Sequence, residues 1–506
     1  MTLRLYITAF VGGLVSMALE MAASRLLEPF FGTSNLVWAA IIGLILLFLS
    51  VGYAVGGRWA DRSPHPSSLY TLLIAAGLAI AVIPFITRPV LLIAGQGVAA
   101  WNAGQVAGTF IVVLLLLAVP VTLLACVSPF VIRLAMTDVQ LSGVTSGKVY
   151  AISTIGSFLG TFLPVLLLVP ILGTRRTFLS LGLLIIVTGL WGLWDANRRR
   201  FWLWVWALPV LVVLLLLKPA SIKPQAGLIY EDESAYNFIQ VIEKNEIKFL
   251  LLNEGQGIHS VTMPEQVLTG GTWDYFLIAP YFNASPYTPQ QVKRLLVIGL
   301  AAGTIPAQYT EIYGEIPIDG VEIDPAIAEV GRDYFDMTQP NLNVYAADGR
   351  YFLKQTDARY DVVAVDAYRL PYIPWHLTTV EFFQELRDHM TDQGVVGINV
   401  GHTPDDWRLV EALAATMGQV YPSVHAFTVP KTFNAILVAT VQPTIAENLN
   451  ANLALLEDDR LRTVAERAAA NSIDVASGGQ IFTDDRAPVE LLTDTLVLNY
   501  VLGDMP

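Results

Sequence analysis

The sequence predicts an N-terminal multi-span α-helical membrane domain, then a C-terminal small β-domain followed by an α/β Rossmann-like fold. Three observations lead to this prediction. Apolar runs of about 20 residues, the length that crosses a bilayer, fill residues 1–217. Two strand-like segments separated by a short turn follow near residue 236. From Leu295 onward strands alternate with helices, which is typical of a doubly wound sheet.

The composition divides the chain at about residue 224. The chain has 506 residues, of which 14% are charged, against roughly 25% in soluble proteins. Residues 1–224 contain 14 Lys and Arg and 5 Asp and Glu, whereas the rest contains 16 and 38. The second part is strongly acidic, which disfavours nucleic acid as a partner and favours a cationic ligand. The single cysteine, Cys126, excludes disulfides, and the six histidines show no metal-binding spacing.

The N-terminal part is predicted to cross the membrane seven times. The apolar runs lie near residues 5–26, 36–57, 69–87, 107–132, 148–172, 178–195 and 201–217. Ile83–Ala100 is a possible eighth span or a surface helix. Glu20 is an acid inside the first span, and we expect Arg25 to pair with it; a transport or channel role is the alternative. The absence of a visible repeat favours an anchor and dimerisation platform over a complete transporter.

The C-terminal part is predicted to contain two domains. A linker rich in Pro and Lys occupies residues 218–227, the small β-domain residues 228–290, and the Rossmann-like domain with its helical tail residues 291–506. Within the β-domain, Tyr236–Ile242 alternates in polarity and pairs with Ile247–Leu252 as a hairpin. Gly270–Phe276 leads into a predicted helix that reaches Tyr281.

Four successive strands of the Rossmann-like domain end in residues that suit a ligand crevice. The predicted strands are Leu295–Ile298, Ile316–Val321, Leu342–Ala347 and Tyr360–Val365, and a helix is predicted for Pro325–Tyr334, with the proline at its first position. The residues at the ends of the four strands are Gly299 and Gly303, Glu322, Asp348 and Asp366. Glycines let the backbone approach a ligand, and a carboxylate after the second strand can accept hydrogen bonds from ribose hydroxyls. Each feature alone is more often a packing turn or a solvated cap, but their repetition predicts a nucleoside-type ligand. The aromatic loop 367–379 after the fourth strand is either a lid or a packed turn.

At these residues the sequence resembles the spermidine synthase (polyamine aminopropyltransferase) family, in particular its membrane-fused bacterial branch. The similar stretches are Ser234–Asn237, Asn253–Ser260, Val321–Asp324, Ala347–Gly349 and Tyr360–Asp366. The resemblance implies an S-adenosylmethionine-type fold, decarboxylated S-adenosylmethionine as a nucleoside donor, and an amine acceptor such as putrescine. It implies no metal and no cofactor apart from this co-substrate, and we expect a homodimer.

The resemblance also implies roles for individual residues. Glu322 would hold the ribose hydroxyls, Asp348 would bind the adenine amine, and Asp366 would take the proton from the attacking amine. The other donor-binding residues would be Asn237, Gly299, Gly303 and Gly349. The residues bordering the acceptor would be Tyr236, His259, Tyr275 and Tyr368.

Three positions depart from the family pattern. Ala302 replaces the glycine-loop acid that binds the donor's free amine, and Arg369 replaces the second acid of the Asp-Ser-x-Asp motif. Trp273–Phe276 replaces a Tyr-x-Glu segment. These changes accommodate a carboxylate on the donor or the acceptor. Two alternatives therefore stay open: an S-adenosylmethionine-dependent methyltransferase, and a non-catalytic nucleoside- or polyamine-sensing domain on a transporter-like membrane part.

The distribution of basic residues does not settle the orientation in the membrane. With seven spans, eight Lys and Arg lie on the side of the N-terminus and six on the other, which slightly favours a cytoplasmic N-terminus. That orientation would put the C-terminal domain outside, away from cytosolic nucleosides. We therefore expect an even number of spans or an exception to the charge rule. The expected location is the bacterial inner (plasma) membrane, multi-pass, with the C-terminal domain in the cytoplasm.

Overall fold

The structure is a computed structural model, which describes residues 2–31, 35–100, 105–217, 221–253, 257–369, 372–475 and 478–503. The chain forms two compact units. The first, helical unit consists of Met1–Pro224 and Asp232–Phe238, and the second, α/β unit of Gln225–Glu231 and Ile239–Pro506. The hairpin tip Asp232–Phe238 thus groups with the helices, whereas our predicted boundaries are strictly consecutive along the chain.

The helical unit contains, among the described residues, seven segments long and apolar enough to cross a membrane. They are Leu3–Glu28, Trp38–Arg62, Pro66–Leu91, Gly108–Ala135, Ser142–Leu172, Thr174–Ala196 and Arg198–Leu216. The helices are α1 (Thr2–Phe31), α2 (Asn35–Arg62), α3 (Pro66–Ala100), α4 (Gln105–Ala125), α5 (Val127–Ala135), α6 (Ser142–Leu163), α7 (Val169–Leu172), α8 (Thr174–Ala196), α9 (Arg198–Trp204) and α10 (Ala207–Leu216). Because α3 runs unbroken to Ala100, the possible eighth span is the end of the third helix.

Glycines allow α1 and α6 to pack with their backbones in contact. A Cβ atom on Gly156 would lie 2.1 Å from the carbonyl oxygen of Phe10, and one on Gly160 would lie 2.1 Å from that of Leu14. Lipid tails are as apolar as these side chains, so burying an apolar side chain between two helices gains little free energy in a membrane. Membrane helices therefore associate through close packing of this kind. The small residues of α6 therefore hold the first and fifth predicted spans together.

The expected ion pair between Glu20 and Arg25 is wrong. Arg25 instead donates to Glu28 at 2.6 Å and to the carbonyl oxygen of Ser234 at 2.5 Å. Residues three apart lie on one face of a helix, as Arg25 and Glu28 do, whereas residues five apart do not. Glu20 is nevertheless buried within the helical unit.

The α/β unit begins with a four-stranded sheet. Its strands, in spatial as well as chain order, are β1 (Leu228–Glu233), β2 (Phe238–Lys244), β3 (Ile247–Leu252) and β4 (Ile258–Thr262). Asn245 and Glu246 adopt positive φ between β2 and β3, as a two-residue hairpin turn requires, so the predicted hairpin is confirmed. The predicted alternation is wrong, because every residue from Phe238 to Ile242 is buried.

An eight-stranded sheet follows, with helices on both faces. The strands are β5 (Leu295–Ile298), β6 (Ile318–Glu322), β7 (Leu342–Ala346), β8 (Tyr360–Val365), β9 (Met390–Gly401), β10 (Ser423–Thr428), β11 (Asn434–Thr440) and β12 (Ser472–Ile473). The helices are α11 (Trp273–Phe276), α12 (Thr304–Tyr313), α13 (Pro325–Tyr334), α14 (Gly349–Leu353), α15 (Val380–Asp388), α16 (Arg408–Met417), α17 (Glu447–Leu453), α18 (Asp459–Ala470) and α19 (Val489–Gly503). The predicted Rossmann-like fold with a helical tail is confirmed.

The strand order β12-β10-β11-β9-β8-β5-β6-β7 places the ligand crevice. The five strands from β9 to β7 are parallel, and β10, β11 and β12 are antiparallel additions. β6 and β7 lie in that order on one side of β5, and β8 lies on its other side, so the direction of the strand order reverses at β5. Ligands bind at such a switch point, beyond the carboxyl ends of the strands. Here Ile298 pairs with Val365, so Gly299 and Asp366 emerge side by side.

Both faces of β5 are buried. Leu295 and Val297 lie in one apolar cluster, and Leu296 and Ile298 lie in another on the opposite face. Side chains alternate between the faces of a strand, so a strand covered on both sides reads as a continuous apolar run. This is why four consecutive aliphatic residues were sufficient to predict β5.

Candidate active site

The glycine loop after β5 is shaped by positions that no larger residue can occupy. Gly299 has a φ of +87°, and a Cβ there would lie 2.6 Å from the Ala367 backbone. Gly303 also has a φ of +87°, and its Cβ would lie 2.6 Å from Met337. Between them Ala301 has a φ of +48°, a conformation costly for a residue with a side chain. The loop is therefore held tightly against the segment that follows β8.

Glu322, at the end of β6, fixes this loop. One carboxylate oxygen accepts a hydrogen bond from the Ala301 N–H at 2.8 Å, and the other accepts from the Asp324 N–H at 3.1 Å. The bond to Ala301 explains how its unfavourable backbone conformation is maintained. Glu322 is buried, and this burial raises its pKa to about 7. Each oxygen keeps a lone pair with which a ribose hydroxyl could bond.

Asp348 lies at the end of the next strand, β7, and caps α14. Its Oδ1 accepts from the backbone N–H groups of Arg350 and Tyr351, both at 3.0 Å. Its Oδ2 lies 2.8 Å from Nε2 of His376, in the aromatic loop after β8. The hydrogen bond from His376 is the main cause that lowers the pKa of Asp348. The carboxylate therefore stays ionised and partly exposed, as a hydrogen-bond acceptor for a ligand must be.

Asp366 ends β8 beside the glycine loop, and its backbone N–H donates to the Ile298 carbonyl at 2.9 Å. Its Oδ1 accepts from Nδ2 of Asn399 at 2.9 Å, and the Trp273 side chain also hydrogen-bonds to it. Although partly exposed, the carboxyl group lies among protein atoms that displace water, which raises its pKa to about 7. Asp366 can therefore exchange a proton near neutral pH.

Tyr368 completes this group. Its hydroxyl donates to the carbonyl oxygen of Asn399 at 3.0 Å. Burial raises the pKa of Tyr368 above its usual value, and the nearby charge of Asp366 raises it further. Asn399 is 6% exposed, and its Oδ1 has no hydrogen-bond partner among the described residues. The structure thus brings together Asp366, Tyr368, Gly299 and, through the loop, Glu322.

Other predicted site residues lie elsewhere. Tyr275 is buried in the core with its ring against Phe427, and its predicted contact with the acceptor stays a prediction. His259, on β4, has a buried Nε2 with no hydrogen-bond partner among the described residues, and burial lowers its pKa to about 4, so the ring is neutral. It is the adjacent Ser260 that contacts the glycine loop, accepting from the Ala302 N–H at 2.9 Å.

Three more predicted residues are placed as follows. Gly349 begins α14, and a Cβ there would lie 2.4 Å from Ile298. Tyr236 and Asn237 belong to the hairpin tip that groups with the helical unit, where the Ser234 hydroxyl accepts from both of their backbone N–H groups. Their predicted contacts with substrate stay predictions.

Sequence reasoning missed three residues that contact predicted ones: Asn399, Trp273 and His376. Asn399 lies within β9 directly after Ile398, which pairs with Val365, so it is level with Asp366, and no strand end marks it in the sequence. Trp273 and His376 carry no local signal. Among the residues that the structure describes, no group of three or more His, Cys, Asp or Glu is placed to hold a metal ion.

Comparisons with known proteins agree with the sequence resemblance. A family model described as the spermine/spermidine synthase domain matches residues 288–450. A probable polyamine aminopropyl transferase of Bifidobacterium longum is 32% identical over 286 residues, 53% of this chain, which spans 63% of that relative. A polyamine aminopropyltransferase of Vibrio vulnificus is 31% identical over 230 residues, covering 43% of this chain and 72% of the relative.

Two further similarities are more distant. A human eEF1A lysine and N-terminal methyltransferase is 27% identical over 162 residues, 29% of this chain and 23% of the human protein. Among solved structures, a probable spermidine synthase from Corynebacterium glutamicum aligns with 53% of this chain and 99% of its own, at 19% identity and a TM-score of 0.41.

Proposed function

This chain belongs to the spermidine synthase (polyamine aminopropyltransferase) family, and on that premise we propose that it transfers an aminopropyl group from decarboxylated S-adenosylmethionine to an amine such as putrescine. The observation that best supports the proposal is the position of Asp366. It lies at the switch point beside the glycine loop, with a pKa raised to about 7. Such a group can accept a proton at neutral pH, as attack by an amine requires.

In the proposed reaction the neutral amine of the acceptor attacks the propyl carbon bonded to the donor's sulfonium. A C–N bond forms while the C–S bond breaks, and the sulfur leaves with the electron pair as methylthioadenosine. The nitrogen then gives its proton to Asp366, which passes it to solvent. A free alkylamine has a pKa near that of lysine, about 10.4, so binding must favour the neutral form. Because sulfonium is already a good leaving group, positioning supplies much of the acceleration, and we propose no metal or other cofactor.

The donor would lie along the edge formed by β5, β6 and β7. In this proposal Glu322 receives the ribose hydroxyls on lone pairs not used by the loop, and Asp348 receives the adenine amine. Gly299 and Gly303 let the backbone approach the nucleoside. The acceptor would lie near Asp366, where Tyr368 lines the wall, and Asn237, Tyr236 and His259 stay predicted contacts.

Methyl transfer is the second candidate. Two observations favour it: Ala302 stands where the family has an acid for the donor's free amine, and a methyltransferase is among the relatives. The test is to incubate the purified protein with an amine and either S-adenosylmethionine or its decarboxylated form, and to weigh the products. A gain of one aminopropyl group supports the first proposal, and a gain of one methyl group the second. Nucleoside binding without turnover of either donor would contradict both and favour a sensor.

We further propose that the protein is a homodimer in the bacterial inner membrane, with the α/β unit in the cytoplasm, where a nucleoside donor is available. Within the described part of the chain, seven apolar helices are long enough to cross a membrane, which supports a membrane location. With seven spans, a cytoplasmic α/β unit requires the N-terminus to lie outside, against the slight excess of basic residues on its side. A thiol reagent that cannot cross the membrane tests this: a cysteine introduced at an exposed residue of the α/β unit should react only after lysis.

A further inference from the structure

Arg350, two residues after Asp348, binds two carboxylates at once. Its Nε and Nη2 donate to Glu385 of α15, both at 2.9 Å, and its Nη1 and Nη2 donate to Asp484 at 2.7 and 2.8 Å. The Arg350 side chain is 12% exposed. A mostly buried guanidinium with two bidentate partners is held far more firmly than the arginine of a surface ion pair.

Arg350 also belongs to a closed ring of hydrogen bonds around the Asp348 carboxylate. The Arg350 backbone N–H donates to Asp348 Oδ1 at 3.0 Å, and its Nη1 donates to the carbonyl oxygen of His376 at 3.3 Å. Nε2 of His376 in turn lies 2.8 Å from Asp348 Oδ2. One oxygen of Asp348 is thus bonded to the Arg350 backbone, and the other is bonded to His376, whose carbonyl oxygen accepts from the Arg350 guanidinium.

Asp484 reaches Arg350 from the C-terminal tail segment Phe482–Pro488. Phe482 is fully buried, and its carbonyl accepts from the Val380 N–H at 2.9 Å. The Asp484 Oδ1 accepts from the Thr379 hydroxyl at 2.7 Å in addition to its bond with Arg350. These two hydrogen bonds hold the tail segment against the start of α15, so the Asp484 carboxylate has a fixed position beside Arg350.

Resting on the proposed function, we propose that Asp484 is a positioning residue for the nucleoside donor: through Arg350 it orients the Asp348 carboxylate toward the adenine amine. The tail segment would then determine donor affinity without touching the donor. It should take no part in the chemistry at Asp366, which contacts Asn399 and Trp273 instead.

The test compares Asp484→Asn with Asp485→Asn in the full-length protein. Both substitutions remove one negative charge from adjacent positions, but Asp485 is exposed and makes no hydrogen bond or ion pair with any described residue. By calorimetry, the Kd for methylthioadenosine should rise about tenfold in Asp484→Asn, the order expected for a lost charged hydrogen bond. It should be unchanged in Asp485→Asn. In donor-saturation assays, the KM for the donor should rise while kcat stays within about twofold.

Equal Kd values for Asp484→Asn and Asp485→Asn would overturn the inference. So would a fall in kcat with unchanged donor KM, which would place Asp484 in the chemical step. If Asp484→Asn does not fold, Arg350→Lys is the variant to measure, because lysine keeps the charge but cannot form the bidentate bonds. A wild-type Kd for methylthioadenosine in Arg350→Lys would also overturn the inference. A wild-type protein that binds no nucleoside would instead overturn the donor site itself, and the proposed function with it.

Discussion

Asp366 is the residue on which the proposed chemistry depends, and two properties of one variant test its role. Asp366→Asn keeps the shape of the side chain and can still accept from Asn399, but it cannot take a proton. Loss of a positioned base typically costs about 10²–10⁴ in rate, so turnover should collapse while the Kd for methylthioadenosine stays within a few-fold. Asp357→Asn, at an exposed position, is the matched control. A variant with wild-type turnover would remove Asp366 from the mechanism.

The same variant should be more stable than the wild type at alkaline pH. The pKa of Asp366 is raised to about 7 in the folded protein from its ordinary value of 3.8, so between these pH values the folded state holds a proton that the unfolded state has lost. Stability from this group is therefore lost as pH rises toward 7. Asp366→Asn avoids that loss, and its free energy of unfolding at pH 8 should be about 1–3 kcal/mol higher. A less stable variant would show that Asp366 serves as a structural cap.

Glu322 provides the second prediction at this scale. In Glu322→Gln the amide nitrogen replaces one acceptor, so either the Ala301 N–H or the Asp324 N–H loses its partner. A lost hydrogen bond to a charged group is worth roughly 1.5–3 kcal/mol, and the Kd for methylthioadenosine should rise tenfold or more. In the wild type this Kd should also rise as pH falls below about 7, when Glu322 takes a proton. Glu329→Gln, at an exposed position, is the control. A Kd in Glu322→Gln equal to that of wild type, or a wild-type Kd that does not change with pH, would contradict the assignment.

At the residue scale, the sequence predicted the site residues that have a local signal, and it did not predict their partners from distant parts of the chain. Glu322, Asp348 and Asp366 could be found because each lies at the carboxyl end of a predicted strand, a signal contained in a few consecutive residues. Asn399 and His376 contact them from positions 33 and 28 residues away along the chain. Such partners depend on which strands are neighbours and on how a loop folds back, neither of which a local pattern encodes.

Among the elements, the loop after β5 is the one whose conformation the site needs most. Gly299→Ala would place a methyl group 2.6 Å from the Ala367 backbone, on a residue with positive φ. Gly314, with a φ of +78° and no atom within 4 Å of a Cβ, offers a control with similar backbone strain and no clash. We expect Gly314→Ala to cost about 1–2 kcal/mol of stability and leave nucleoside affinity unchanged. Gly299→Ala should also lose nucleoside binding by more than tenfold, measured by calorimetry. Equal affinities in the two variants would show that the loop does not form the site.

Elements whose signal is local were predicted best. β5, β8 and α13 have the predicted bounds, because a run of aliphatic residues or a proline at the first helical position marks each of them. The single helix predicted to follow from Gly270–Phe276 and to reach Tyr281 is instead the short α11 and a separate 3₁₀ turn at Ala279–Phe282. All ten residues from Trp273 to Phe282 are buried, so packing on the large sheet, rather than helical periodicity, determines their path.

At the scale of the whole molecule, the two parts of the chain differ in charge. The first 224 positions are net basic, which is consistent with a membrane surface, and the 38 acidic residues of the remainder favour a cationic ligand. The net charge of the whole chain, −13, does not show this difference between the two parts. Composition could therefore separate the two parts, but it could not show that the hairpin tip Asp232–Phe238 groups with the helices. That assignment rests on contacts such as the one from the Thr174 N–H to Glu233 at 2.6 Å.

The last prediction concerns independence of the α/β unit. Its apolar clusters cover both faces of the large sheet, and Glu322, Asp348 and Asp366 all lie within it, so residues 225–506 expressed alone should fold and be soluble. The fragment should bind methylthioadenosine within a few-fold of the full-length protein in detergent. Turnover is the more sensitive measurement, because Tyr236 and Asn237 lie in a hairpin tip that loses its helical contacts in the fragment. A folded fragment that binds no nucleoside would show that the helical unit is needed for the donor site, and that it is more than an anchor.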